Sequence, residues 1–156
     1  MMIPNIFPNE ISIMLSCGCT LNCDYCEVAH NSKSLQYAST LQQNTAKALQ
    51  DGSFLTNTLK TLEYFNIPVA NITHLDLWGQ EPTLNIPHLT EHISDWFQAL
   101  PQIEYIMFSS NMTTDPHIII NFLKAIDNNI QHNIEVTVQC SYDGQWSCKN
   151  KRHVDP

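Results

Sequence analysis

Residues 11–16, Ile-Ser-Ile-Met-Leu-Ser, run directly into Cys17-Gly18-Cys19-Thr20-Leu21-Asn22-Cys23-Asp24-Tyr25-Cys26. The first six residues are mostly apolar or β-branched, which suits a strand, and the cysteine-rich stretch has no periodicity and reads as a loop. The fold depends on whether this strand–loop unit recurs, and it does. Residues 74–78 (His-Leu-Asp-Leu-Trp) lead into Gly79-Gln80-Glu81-Pro82, and residues 105–109 (Tyr-Ile-Met-Phe-Ser) into Ser109-Ser110-Asn111. Residues 135–141 (Glu-Val-Thr-Val-Gln-Cys-Ser) lead into Ser141-Tyr142-Asp143-Gly144.

Between these strands the apolar spacing predicts helices. Residues 39–49 form a modest candidate closed by Asp51-Gly52. A second helix has Ser53 as N-cap, apolar positions at Leu55, Leu59, Leu62 and Phe65, and an end before Pro68. Residues 87–100 repeat through Leu89, Ile93, Trp96 or Phe97, and Leu100, with Pro101 as terminator. Asp115-Pro116 opens the last helix, whose stripe is Ile119, Phe122, Leu123, Ile126 and Ile130. Residues 31–38 and 142–156 are polar and irregular.

The order β-α-β-α-β-α-β calls for an α/β fold of parallel strands, right-handed crossovers and helices on the outer face. In that layout the C-terminal strand ends and the loops after them build the site. All four unusual loops obey this rule.

The chain has 156 residues, the size of one domain, with 43% hydrophobic and 14% charged residues, so a packed core is expected. Seven Lys+Arg stand against fifteen Asp+Glu, a net charge of −8, which argues against a nucleic-acid partner. No apolar run approaches bilayer length, and Met1-Met2-Ile3-Pro4-Asn5 lacks the order of a signal peptide. A cytoplasmic protein without membrane association is the expectation.

Four of the six cysteines (Cys17, Cys19, Cys23, Cys26) fall within residues 17–26. Crowded thiols in a reducing compartment point to metal rather than disulfides. Cys19, Cys23 and Cys26 form a C-x₃-C-x₂-C pattern, in which three thiolates can bind three irons of a cubane and leave the fourth open. An open metal suits substrate or cofactor binding. Two other readings stand beside it: a zinc knuckle on Cys17, Cys19, Cys23 and Cys26, and core cysteines without a ligand. Zinc sites usually pair two well-separated elements. The seven histidines are scattered, and Trp96 and Phe97 suit a core better than a stacking platform.

The cysteine loop resembles the cluster-binding loop of the radical S-adenosylmethionine superfamily, including the aromatic Tyr25 before the last cysteine. By position the resemblance makes Cys19, Cys23 and Cys26 the iron ligands and puts Tyr25 near the adenine; Cys17 matches nothing in it. Gly79-Gln80-Glu81-Pro82 resembles the family's Gly-Gly-Glu-Pro motif, whose backbone holds the cofactor's amino group, with Gln80 replacing the second glycine. Ser109-Ser110-Asn111 resembles the segment that contacts the cofactor's ribose or carboxylate. Ser141-Tyr142-Asp143-Gly144 resembles a feature of the peptide-modifying, sulfatase-maturase-like branch, with Ser141 favoured over Asp143 for a site role. Each of the last three also reads as an ordinary turn.

The resemblance implies a [4Fe–4S] cluster, S-adenosyl-L-methionine, and reductive cleavage to a 5′-deoxyadenosyl radical that abstracts hydrogen from a substrate. It also implies an electron donor such as a flavodoxin or ferredoxin. A peptide or protein substrate is favoured; a small molecule, as for the related carboxy-deazaguanine synthases, is the other option. The family core is a partial (β/α) barrel of six units, of which this chain supplies about four. A truncated core, or one completed by a partner chain or a second copy, is therefore expected. A non-catalytic iron–sulfur remnant and a zinc-stabilised module are the rival functions.

Overall fold

Four strands pair in parallel in chain order: Glu10–Ser16 (β1), His74–Gly79 (β2), Tyr105–Ser110 (β3) and Glu135–Cys140 (β4). The computed structural model describes residues 8–26, 30–129, 133–142 and 148–152. Between the strands lie helices Ser32–Gln50 (α1), Ser53–Tyr64 (α2), Ile86–Glu91 (α3), Ile93–Ala99 (α4) and Pro116–Asn129 (α5). The molecule is an α/β fold with an all-parallel four-stranded sheet alternating with helices. Strands added always on the same side, by right-handed crossovers, carry every crossover to one face of the sheet.

Side-chain burial follows that geometry. On the covered face Leu15, Leu75, Leu77, Ile106 and Phe108 are at most 1% exposed, and Trp96, Phe122 and Ile126 pack with them. The alternate residues point the other way, where Met14 is 40% and Trp78 56% exposed. Parallel sheets are normally covered on both faces. Among the described residues nothing long covers the second one. Nor is any helix among them long and apolar enough to cross a membrane.

The strand register carries one irregularity that matters for the site. Met14 faces Trp78, and Ser16 faces Gly79, so Leu15 is an extra residue in β1. Such a bulge bends the strand end. It drives Ser16 into the backbone of Gly79, where φ is +145° and an added Cβ would overlap the Ser16 carbonyl.

Three sequence expectations change. Helix α1 begins at Ser32, well before residue 39, because the Asn31 side chain accepts hydrogen bonds from the Lys33 and Ser34 N–H groups. For α2 the N-cap is Gly52 rather than Ser53. The Asp51 carboxylate takes the Ser53 N–H at 3.0 Å, and hydrogen bonds from Ser53 hold that carboxyl below its ordinary range. The segment 87–100 is two helices that break at His92, after a 3₁₀ turn at Pro82–Leu84. Its stripe is nonetheless core: Leu89, Ile93, Trp96 and Leu100 are all buried. Ile130 lies outside the described residues.

Candidate functional site

The bulge at the end of β1 launches the cysteine loop, and α1 fixes its first turn. The Gln42 side-chain oxygen accepts hydrogen bonds from Ser16 Oγ (3.0 Å), Cys17 N (2.9 Å) and Gly18 N (3.2 Å). Three donors on one acceptor leave the loop little freedom at its start. Further along, Cys26 N donates to Cys23 O at 3.0 Å, and a His30 ring nitrogen bonds the same carbonyl.

The three candidate ligands differ in exposure. Cys19 is exposed, Cys26 half-buried and Cys23 buried. Burial pushes the Cys23 thiol above its ordinary value, and the neighbouring Cys19 and Cys26 push the same way. A side-chain hydrogen bond from Tyr25 and the charge of Arg152 oppose them. Among the described residues no three His, Cys, Asp or Glu side chains already stand as a metal-ligand group, so closing the thiols on iron requires a shift within the loop. In number and softness the donors fit an iron–sulfur cluster. Cys17 is buried, with a raised thiol, and sits 3.1 Å from Met14 Sδ.

A cleft of about 530 Å³ opens beside the loop, lined in part by Cys19, Cys26, Leu35, Gln42 and Gln80. That size is within the usual range for small-ligand sites. Gln80 enters it from the loop after β2, and its N–H donates to Ser16 O at 3.1 Å. Among the described non-glycine residues only Asn66 and Met112 have positive φ, so Gln80 carries no left-handed strain.

Glu81 turns inward. Its side chain is fully buried and accepts hydrogen bonds from Thr83 Oγ1 (2.5 Å), Ser110 Oγ (2.9 Å) and the Asn111 N–H (2.8 Å). Pro82 is buried as well. Ser110, only 1% exposed, also accepts the Met112 N–H at 3.0 Å. These residues hold the rim together from within.

No family model, curated protein or solved structure matches this chain.

The remaining candidates sit on the same rim. Ser109 is exposed and donates to Gln139 on β4 at 3.2 Å. Ser141 is exposed, and its N–H donates to Ser110 O at 2.8 Å. Asp143 and Gly144 lie outside the described residues. Asn111 reaches sideways to the cysteine loop, donating from Nδ2 to Cys19 Sγ (3.4 Å) and Thr20 Oγ1 (3.0 Å). Tyr25 is 57% exposed with the Arg152 guanidinium 5.7 Å from its ring centre.

Several site residues carried no local signal. Gln42 lies in a helix whose spacing says nothing about the loop that precedes it. Asn85 is buried and donates to Leu15 O at 2.7 Å, tying the turn after β2 to the bulge. The polar tail also contributes. Within Cys148–Arg152, the Lys151 carbonyl accepts the Asp24 N–H (2.9 Å), and the Lys151 ammonium lies 3.6 Å from the Asp24 carboxylate.

Proposed function

We propose that this chain is a radical S-adenosylmethionine enzyme core, in which Cys19, Cys23 and Cys26 hold a [4Fe–4S] cluster. The observation that supports this most is convergence on one rim. The cysteine loop, Gly79–Pro82, Ser109–Asn111 and Ser141 lie at the C-terminal ends of four adjacent parallel strands. Cys19, Cys26 and Gln80 line the same cleft.

Cys19, Cys23 and Cys26 would hold a cluster whose chemistry, with an electron from a donor such as a flavodoxin or ferredoxin, would be reductive cleavage of S-adenosylmethionine to a 5′-deoxyadenosyl radical. The residues of this chain bind and orient. Gln42 and Asn85 hold the strand end from which the cysteine loop springs. The backbone of Gly79 and Gln80 and the exposed faces of Ser109 and Ser141 are available to polar groups of the cofactor. Glu81 and Ser110 support that rim from below, since both are buried and mutually hydrogen-bonded. The radical would act on a substrate, with a peptide or protein favoured.

A second reading is an iron–sulfur subunit that works only with a partner chain. The sheet face on which Met14 and Trp78 are exposed favours it.

The test is anaerobic reconstitution with iron and sulfide, then addition of S-adenosylmethionine and dithionite, reading 5′-deoxyadenosine by chromatography. Product from the wild type and none from Cys23→Ala supports the enzyme. Bound iron without product selects the partner-dependent subunit. Zinc, or no metal, overturns both.

A further inference from the structure

This inference rests on the cluster reading and adds a residue to it. We propose that Asn111 is a positioning residue for the Cys19 ligand, linking its sulfur to the buried carboxylate of Glu81.

The orientation of the Asn111 amide is decided by its neighbours. A backbone N–H can only donate, and that of Thr113 points at Asn111 Oδ1 from 3.0 Å, with the Thr113 hydroxyl at 2.6 Å. The NH₂ group must then face the other way, toward Cys19 Sγ (3.4 Å) and Thr20 Oγ1 (3.0 Å). The Thr20 and Thr113 hydroxyls meet at 2.5 Å and close the contact from the opposite side. The link therefore has both a donor on the sulfur and a lock on the adjacent residue.

Its base is equally defined. The Asn111 N–H donates to Glu81 Oε2 at 2.8 Å, while Ser110 donates to Oε1 of the same buried group. The next residue, Met112, has φ +59°, a left-handed conformation that non-glycine residues seldom adopt. The sharp turn keeps the Asn111 side chain directed across the rim instead of along β3. The Leu21 N–H gives Cys19 Sγ a second donor at 3.4 Å.

Donors on a cysteine sulfur favour the more negative, reduced form of the metal group it binds. Asn111 thus has two effects, holding Cys19 in place and raising the potential of the cluster it ligates. Asn111→Asp retains the oxygen that Thr113 needs and removes the N–H that Cys19 receives. Asn111→Ala removes both.

Two measurements test this. Hydrogen exchange on the metal-free chain should show faster exchange in residues 17–26 for both variants, with the helical core unchanged. In the iron-loaded chain, redox titration followed by electron paramagnetic resonance should give a midpoint potential lower in Asn111→Ala than in wild type. It should be lower again in Asn111→Asp, where a negative group faces the sulfur. Wild-type exchange and potential in both variants overturn the positioning role and leave the cluster reading intact. Faster exchange with an unmoved potential overturns it too, making Asn111 a structural residue of the loop. A wild-type chain that takes up no iron overturns the cluster reading and the ligand role together.

Discussion

A side chain on Gly79 would overlap the carbonyl oxygen of Ser16. The ideal Cβ also falls 2.8 Å from the Ser16 nitrogen, and φ at Gly79 is +145°. The glycine of the Gly79-Gln80-Glu81-Pro82 loop is thus required by the neighbouring strand, whatever the loop also binds. Gly79→Ala meets both a strained backbone and a backbone clash that no rotamer relieves. We expect a loss of about 2–4 kcal/mol of stability, read by urea denaturation. A loss below about 0.5 kcal/mol would mean that β1 and β2 separate easily at this end.

Glu81→Ala leaves the hydroxyls of Thr83 and Ser110 and the Asn111 N–H without their shared acceptor in a dry site. Each buried donor left unmatched costs about 1–3 kcal/mol, reduced where water enters the space. We expect a lower melting temperature by calorimetry and faster hydrogen exchange at Asn111. A melting temperature equal to wild type would show that Ser110 and Asn111 find other partners.

Gln42→Ala removes the acceptor of the Cys17 and Gly18 N–H groups, whereas Gln42→Glu retains it. Reconstituted iron per chain should fall by half or more in the alanine variant and stay near wild type in the glutamate variant. Equal iron in all three would show that the start of the loop needs no anchor on α1.

Alkaline pH acts through the thiols of the metal-free chain. Burial raises Cys17 and Cys23 above the ordinary 9.0, so the folded state holds those protons more tightly than the unfolded chain. Their contribution is complete below about pH 9 and declines as the pH rises through the raised folded values. Denaturation midpoints at pH 8 and pH 10.5 should differ less in Cys17→Ala than in wild type. A fall of equal size in the two would assign the alkaline loss to other groups.

The alternation of strands and helices was legible because its signals are local. Trp96 and Leu100 repeat at helical spacing, and both are buried even though the helix breaks at His92. The start of α1 was not legible, since Asn31 lies in a polar run whose capping role appears only once its oxygen meets Lys33 and Ser34. Part of the placement on the rim was legible as well. Cys19, Gln80 and Ser141 do sit after adjacent strands, as their positions in the chain predicted, while Ser109 is still within β3 near its C-terminal end. The division of labour among them was not. Glu81 and Ser110 look as available as Ser109 in the sequence, yet both are buried and bonded to each other.

By itself the sequence determined the order of elements and the gathering of unusual residues behind each strand, because periodicity and turn chemistry reside in neighbouring residues. Only the tertiary structure decided which of those residues face the cleft and which hold the rim. That choice depends on strand register: the bulge at Leu15 sets Ser16 against Gly79, and bonds spanning 30 residues (Glu81 to Asn111) and 92 residues (Cys19 to Asn111) exist only once the strands are aligned.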